Sequence, residues 1–345
     1  MTGIVEQFYR QMRHSVRVRI NFTQNYFLLK RLQSRIKRGN PARRLIGIML
    51  LEHLGDIVAC EPIIRFLRKK DPQAFIVWGV KKAYRELIDS NPHIDITLPI
   101  HCLTERILLM KSGLFDEVID LHFTDRYCSL CRRPLKKAKN KSEINLTNYF
   151  HYGSLLSAIS QSAGLPALDE GPKVYIPQSV VKKIDTLDLP AEFIAINCTS
   201  NADEKDWPKE KWTSLLRKIK EGYSIPVFEI GLKTLIDQSA GICKSLCGEL
   251  SILESTEVIR RAKLFIGIDS GPTHLANAVG TPGVILMGSY LGFAKYLPFS
   301  GSYGNNESAE IVYTDGPVDH ISVDKVMDAV NKIFSSLPTG TTHAL

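Results

Sequence analysis

The feature that most constrains the fold is a regular alternation of short apolar runs with longer amphipathic segments, which begins at Leu45. The segments between the runs place apolar side chains at helical spacing, as at Ile57, Ile64 and Leu67. The apolar runs predict strands at 45–51, 74–80, 94–100, 117–121, 193–198, 225–230, 264–268 and 283–287. The amphipathic segments predict helices at 56–70, 81–89, 151–163, 209–222, 234–247, 254–262, 273–279 and 323–335. Strands that alternate with helices in this way form doubly wound parallel sheets, so the predicted fold class is α/β.

A proline-rich segment divides the alternation into two series. Residues 165–190 contain four prolines and little periodicity, which indicates a linker between domains. A chain of 345 residues is long enough for two domains. The predicted organisation is a basic arm at 1–44, a Rossmann-like domain at 45–168, a linker at 169–190 and a second Rossmann-like domain at 191–345. Ligands of such sheets bind beyond the carboxyl ends of the strands, so two sheets that face a central cleft can hold one substrate each.

The net charge of +8 belongs to the N-terminal arm rather than to the two domains. Residues 1–44 contain eleven Lys or Arg and one acid, Glu6, so the remainder of the chain carries a small negative balance. A basic arm predicts an anionic partner, which could be a membrane surface, an acidic saccharide or a nucleic acid. Ile4, Phe8 and Met12 fall on one helical face, with Val5 and Tyr9 beside them, and this pattern favours a helix lying on an anionic bilayer. A solvated or self-packed helix is the alternative.

Cysteine usage and missing motifs narrow the function further. The seven cysteines are scattered and odd in number, which predicts reduced thiols and a cytoplasmic location. Cys128-x-x-Cys131 and the pair Cys243 and Cys247 would form a zinc site only if both pairs met, so inert thiols and no metal are expected. We also expect no secretory signal and no membrane span. The absence of G-x-G-x-x-G and of a P-loop argues against an NAD enzyme and a P-loop ATPase.

The first candidate constellation is Gly55-Asp56, at the turn between the first predicted strand and its helix. Aspartate near a helix N-terminus is electrostatically favourable and is a common N-cap. The same carboxylate could serve as a general base at the mouth of the sheet. Both interpretations of Asp56 stay open from the residues alone.

The second constellation follows the strand that ends near Cys198. Thr199, Ser200 and Lys205 precede a helix that Pro208 is expected to open. A lysine and two hydroxyls before a helix start can hold a diphosphate by charge and hydrogen bonds. A solvated loop above Trp207 and Trp212 is the alternative.

The third constellation is Asp269-Ser270-Gly271-Pro272-Thr273-His274, directly after the strand LFIGI. Asp269 or Ser270 is expected to cap the following helix, and Gly271 allows a ligand to approach the backbone closely. The amides of the first helical turn favour an anion. His274 lies one turn inside the helix, where it faces either that ligand or the core.

These segments, in this order, resemble the glycosyltransferase family that includes the ADP-heptose:lipopolysaccharide heptosyltransferases. FIGIDSGPTHLANAVGTPGVILMG resembles the donor-site segment of that family. TSNADEKDWPKEKW is similar to its Thr/Ser-rich loop, LGDIVACEPIIRFLRKKDPQAFIVWGV to its opening segment, and FDEVIDL to a later strand of its N-terminal domain. The resemblance covers residues 45 to 288. It implies a GT-B architecture with an N-terminal acceptor domain and a C-terminal nucleotide-sugar donor domain.

The resemblance also implies roles for individual residues. Asp56 would be the general base of an inverting transfer that needs no metal. The implied donor-site residues are Thr199, Ser200, Lys205, Asp269, Ser270, Gly271, Thr273 and His274. The chain departs from the family at Glu52-His53-Leu54, where small hydroxyl residues are frequent, and at Asp120-Leu121-His122-Phe123, where many members carry Asp-Leu-Gln-Gly. We therefore assign Glu52, His53, His122 and Arg126 to the acceptor side, where the departures leave the acceptor undefined.

The predicted function is transfer of a sugar, heptose from ADP-heptose by resemblance, onto a lipopolysaccharide core or related lipid-linked saccharide. The nucleotide sugar is a substrate, so no cofactor is expected. The expected partners are the donor, the lipid-linked acceptor and, through the arm, the inner-membrane surface, with no nucleic acid. From these partners, the expected location of the protein is the cytoplasm, at the inner face of that membrane. A sugar-nucleotide epimerase of similar fold and a non-catalytic saccharide-binding protein are the alternatives.

Overall fold

The computed structural model describes residues 2–123, 126–131, 142–289 and 296–336, with side chains from residue 5 onward. The chain divides into two compact units, Met1–Glu170 and Gly171–Leu345. Each unit is built on one parallel sheet, as the alternation of apolar and amphipathic segments predicts. The α/β fold class is therefore confirmed.

The first unit contains a four-stranded sheet in the order β3-β2-β1-β4. Its elements are α1 (Thr2–Gly39), β1 (Leu45–Met49), α2 (Leu54–Ala59), α3 (Glu61–Lys70), β2 (Phe75–Val80), α4 (Arg85–Asp89), β3 (Ile96–Pro99), α5 (Leu103–Met110), β4 (Glu117–Asp120) and α6 (Leu155–Ser162). Every residue of β1 is buried, because the strand is central in the sheet and helices cover both faces of such sheets. The predicted helix at 56–70 is two helices, α2 and α3, which meet at Cys60.

The basic N-terminal segment is a continuous helix whose second half belongs to the core of the first unit. Leu29 and Ile36 of α1 join the buried cluster that includes Leu45 and Met49 of β1. The side chains of Asn21 and Asn25 donate hydrogen bonds to the carbonyl of Pro99 and to Glu105, whose carboxylate is fully buried. Among the described residues, no helix has the length and apolar character needed to span a membrane. The helix is thus anchored along one face, by apolar packing and by a polar clamp on α5.

The second unit contains a six-stranded sheet in the order β10-β9-β8-β5-β6-β7. Its elements are α7 (Gln178–Asp185), β5 (Ile194–Asn197), α8 (Lys209–Tyr223), β6 (Val227–Glu229), β7 (Lys244–Ser245), α9 (Ile252–Arg261), β8 (Leu264–Ile268), α10 (Gly271–Val279), β9 (Gly283–Met287), β10 (Ala309–Tyr313) and α11 (Val323–Ser336). Trp207 and Trp212 pack edge to face beneath the loop that follows β5, with ring centroids 5.2 Å apart. Their burial fixes the loop over the end of the sheet.

The helix predicted at 234–247 is wrong. The segment forms a single 3-10 turn and the short strand β7. The carboxylate of Glu229 accepts the backbone N–H groups of Leu235 and Ile236, which diverts these amides from helical bonds. Gly241 then takes a positive φ of 60°, which ends the turn. Cys243 and Cys247 are therefore not on a helix.

The predicted linker contains a helix that the proline-rich sequence pattern did not predict. Pro177 is the N-cap of α7, a position that proline tolerates because no intrahelical N–H is needed there. The helix packs on α9, where Lys183 pairs with Glu254 and Arg261 pairs with Asp185. Helix α5 and strand β10 also lie outside the predicted elements.

Candidate functional site

The polar groups of the first unit gather around Asp56, beyond the carboxyl end of β1. The N-cap of α2 is His53, so the alternative in which Asp56 takes this position is wrong; Asp56 is the third residue of the helix. Its carboxylate accepts the backbone N–H of His53 at 3.3 Å, and a nitrogen of the Arg126 guanidinium lies 3.7 Å from the same oxygen. The side chain stays 23% exposed. A carboxylate that is oriented, partly charge-balanced and still accessible has the properties of a general base.

Glu52 forms an ion pair with Lys81, which directly follows β2. Burial acts to raise the pKa of Glu52, but the bond to Lys81 and the nearby cations outweigh it, so the pKa is lowered. Glu52 is therefore an anion beside Asp56. Burial raises the pKa of the neighbouring Tyr84 hydroxyl, which keeps it protonated as a donor. Sequence reasoning missed Lys81 and Tyr84, although β2 is the neighbour of β1 and ends at the same edge.

His122 lies inside the protein rather than on an acceptor-facing surface, which corrects its assignment to the acceptor side. The residue is 2% exposed. Its Nε2 accepts the backbone N–H of Leu51 at 3.2 Å, and its Nδ1 lies 3.0 Å from the guanidinium of Arg106 and 3.1 Å from the carboxylate of Asp120. Burial lowers the pKa of His122 to about 4, so the ring is neutral. Asp120 also pairs with the buried guanidinium of Arg106. The cluster supports the edge of the sheet on which Asp56 and Arg126 lie.

The polar groups of the second unit centre on Lys205 and Asp269. Asp269 directly follows β8, and Lys205 lies in the loop after β5. Because β5 and β8 are neighbouring parallel strands, their carboxyl ends meet at one edge of the sheet. Lys205 Nζ lies 2.5 Å from Asp269 Oδ2, and both side chains are between a fifth and a quarter exposed. The structure thus brings together two predicted donor-site residues that are 64 positions apart.

Ser270 is the N-cap residue of α10, but its side chain does not cap the helix. Its hydroxyl instead donates to Asn197 Oδ1 at 2.8 Å, while Asn197 Nδ2 donates to the carbonyl of Ile230 at 3.0 Å. The expected side-chain cap is therefore absent, and Gly271 opens the helix beside Pro272. Asn197, a buried residue that sequence reasoning missed, ties the ends of β5, β6 and β8 together. Its position at the end of a predicted strand was the available signal.

Two further predicted donor-site residues have side chains that make structural contacts within the second unit. Thr273 is fully buried, and its hydroxyl donates to the carbonyl of Ile268 at 2.5 Å. The ring of His274 is 4% exposed and packs on Phe299 with centroids 4.9 Å apart. The side chains of both residues therefore hold the start of α10 against β8 and its surroundings.

The loop after β5 is shaped by its own polar groups. The Ser200 hydroxyl donates to the carbonyl of Ala202 at 2.8 Å, and the Ser200 amide donates to Asp206 at 2.8 Å. Thr199 precedes this turn and is half-buried. The turn fixes the backbone that carries Lys205 toward Asp269, so Ser200 has a defined structural role at the site.

Two units built on parallel sheets, each with polar side chains at the carboxyl ends of its strands, are the architecture of the GT-B fold. The family model "Glycosyltransferase family 9 (heptosyltransferase)" matches residues 120–291. The chain belongs to this family.

Individual relatives are distant. The chain is 22% identical to the lipopolysaccharide core heptosyltransferase OpsX of Haemophilus influenzae, covering 79% of this chain and 86% of that protein. It is 29% identical to lipopolysaccharide heptosyltransferase 3 of Escherichia coli K12 over 118 residues, which are 31% of this chain and 34% of that protein. Among solved structures, E. coli ADP-heptose lps heptosyltransferase II matches with a TM-score of 0.59 and 16% identity, covering 85% of this chain and 98% of that chain. The structural likeness shows the fold.

Proposed function

We propose that the protein is an inverting heptosyltransferase that moves heptose from ADP-heptose onto a lipopolysaccharide core or a related lipid-linked saccharide. The observation that carries the proposal is the Lys205–Asp269 pair beside the N-terminus of α10. This edge of the second sheet offers a cation and helical amides to a diphosphate. The names of the relatives, lipopolysaccharide heptosyltransferases, support the acceptor, and the name of the solved ADP-heptose enzyme supports the donor.

The proposed reaction is a direct displacement. Asp56 removes the proton of the acceptor hydroxyl, the acceptor oxygen forms a bond to the anomeric carbon, and the bond to the nucleoside diphosphate breaks with inversion. General-base assistance of this type is worth about 10²–10⁴ in rate. Glu52, His53 and Arg126 lie around Asp56 and are proposed to contact the acceptor.

The charge that develops on the leaving diphosphate needs fixed positive partners. We propose that Lys205 and the N-terminal amides of α10 supply them, so that the transfer uses neither a catalytic metal nor a cofactor. In the structure Asp269 holds Lys205. A diphosphate would share or replace this contact, and Asp269 would keep the ammonium directed at the edge of the sheet.

Replacing Lys205 with alanine is expected to weaken binding of ADP by about 10- to 100-fold, the range for loss of a charge-assisted hydrogen bond. Turnover should fall further, because the contact strengthens as the diphosphate leaves. The measurement is a thermal-shift titration with ADP-, GDP- and UDP-sugars, followed by a transfer assay, in which the ADP-sugar should stabilise the wild type most. Lys209→Ala is the matched control, because it removes an exposed lysine four residues away.

Lys205→Ala with wild-type affinity and wild-type turnover would contradict the donor role. Product analysis of the same assays separates the enzyme classes. Conversion of the sugar nucleotide without an acceptor would indicate an epimerase, and binding without any turnover would indicate a saccharide-binding protein.

We also propose that α1 places the enzyme on the cytoplasmic face of an anionic membrane. The side of α1 that packs on the first unit carries Val18, Leu29 and Ile36. The opposite side exposes an apolar stripe at helical spacing, made of Val5, Phe8, Tyr9, Met12, Val16 and Ile20. Arginines lie beside the stripe, and each cation near an anionic bilayer contributes about 1 kcal/mol. The combination of an apolar stripe with flanking cations favours a lipid surface carrying negative charge.

The double variant Phe8→Asp with Met12→Asp is expected to lower binding to phosphatidylglycerol-containing vesicles about tenfold or more at low salt, because both side chains leave the apolar stripe. High salt should release the wild type through screening. Vesicle sedimentation measures this, with Leu232→Asp as the control, because Leu232 is 90% exposed on the second unit. Deleting the whole arm is unsuitable, since Leu29 and Ile36 belong to the core. The membrane role would be ruled out if the wild-type protein does not bind these vesicles, or if it uses the stripe to form a dimer in solution.

A further inference from the structure

Four metal-ligand side chains that the proposed reaction does not use meet in the first unit. One ligand atom from each of His14, Cys102, Cys128 and Cys131 lies within 4.8 Å of all the others. Cys128 Sγ is 3.4 Å from His14 Nε2. In a tetrahedral zinc site, with Zn–S near 2.3 Å and Zn–N near 2.0 Å, neighbouring ligand atoms are about 3.5–3.8 Å apart. The four groups therefore need only small side-chain movements to surround one ion.

We propose that His14, Cys102, Cys128 and Cys131 bind a structural zinc ion. The ligands come from three segments: the helix α1, the N-cap of α5, and a C-x-x-C that follows β4. Three thiolates and one imidazole are a standard closed zinc set, and two-residue spacing is typical of its cysteines. The sequence-based expectation of no metal considered a meeting with Cys243 and Cys247, which lie in the other unit. The real partners of the C-x-x-C are His14 and Cys102.

The surroundings suit a metal–thiolate centre better than a group of packed thiols. Cys102 is 5% exposed and lies at the N-terminus of α5, where the helix dipole favours a thiolate. One zinc ion, three thiolates and a neutral imidazole carry a net charge of −1. Arg17, one turn along α1, acts on both His14 and His101, and supplies the compensating positive charge. Burial, together with the neighbouring Cys128 and Cys131, raises the pKa of Cys102 to about 12, and a bound divalent cation would reverse this.

The position of the four ligands indicates that the ion would have a structural role. All four coordination positions are filled by the protein, which is typical of a structural site rather than a catalytic one. The ion would join α1 to α5 next to the polar clamp that Asn21 and Asn25 form with Glu105. It would also fix the segment 126–131, which carries Arg126 to within 3.7 Å of Asp56. Zinc would thereby hold the N-terminal helix and the surroundings of Asp56 in one arrangement.

The test is the metal content of the full-length protein, purified without chelators and measured by plasma mass spectrometry. We expect one zinc per chain, and we expect Cys131→Ser to lower zinc affinity by more than about 100-fold, since even residues behind the ligands change affinity 10- to 100-fold. Cys247→Ser, a half-buried cysteine of the other unit, is the matched control and should keep its zinc. A strong chelator should lower the Tm of the wild type by roughly 5 °C or more and leave that of Cys131→Ser unchanged.

A second measurement covers the case in which Cys131→Ser fails to fold. Wild-type protein reloaded with cobalt(II) should show the visible bands of a tetrahedral ion together with thiolate charge-transfer bands, and His14→Gln should alter both. Protein without zinc that takes up none on addition would overturn the proposal. So would stoichiometric iron in place of zinc, or a Cys128–Cys131 disulfide found by mass spectrometry of the alkylated protein.

Discussion

Asp56→Asn is expected to lower turnover by about 100-fold or more while donor affinity and the fold are kept. Asparagine has nearly the same shape, and its carbonyl oxygen can still accept the backbone N–H of His53, so the start of α2 is preserved. The amide cannot remove a proton from the acceptor hydroxyl. Initial rates of heptose transfer and calorimetric titration with ADP would measure the two effects separately.

The control for Asp56→Asn is Asp89→Asn, which neutralises a more exposed carboxylate on α4 of the same unit. Full activity of the Asp56→Asn variant would rule out Asp56 as the general base. A large fall in Tm with turnover lowered only in proportion to unfolding would show instead that the carboxylate serves mainly to cap α2.

The sheets could be predicted from the sequence because their central strands are apolar throughout. The strands LIGIM and LFIGI are buried on both faces, so the run of apolar residues directly encodes the element. Ligands of such sheets bind beyond the carboxyl ends of the strands, so the predicted strand ends indicated Asp56 and Asp269 as candidate site residues. The helix predicted at 234–247 was wrong because backbone N–H groups of the segment donate to the carboxylate of Glu229, which lies before it, and these bonds outweigh the local pattern.

The pairing of the candidate site residues could not be predicted, because it depends on strand order. Lys205 and Asp269 meet only because β5 and β8 are neighbours in the sheet. The cysteine cluster is a stronger example: His14 and Cys128 are separated by 114 positions, and no spacing rule links them. The burial of Arg106 could not be predicted either. Arginine is rarely buried unless it has a partner, and the sequence does not show the partner, so Arg106 resembles a surface residue.

Removing one member of the Arg106–Asp120 pair is expected to destabilise the first unit by about 3–5 kcal/mol, because the remaining charge is buried without its partner. Arg106 is 2% exposed and Asp120 is 9% exposed. Burial lowers the pKa of Arg106, while Asp120 opposes this effect, so the guanidinium depends on the carboxylate to stay charged inside the protein. Asp120→Ala and Arg106→Met should each lower the midpoint of denaturant unfolding of the full-length protein.

The double variant distinguishes a true pair from two separate losses of packing. If the two charges stabilise each other, Asp120→Ala combined with Arg106→Met should cost clearly less than the sum of the single variants. Asp89→Ala breaks the exposed pair with Arg85 and should change stability by less than about 1 kcal/mol. Strict additivity would mean that the buried pair is energetically uncoupled. The edge that carries Asp56 would then depend on the bonds of His122 to Leu51 and Asp120 rather than on the ion pair.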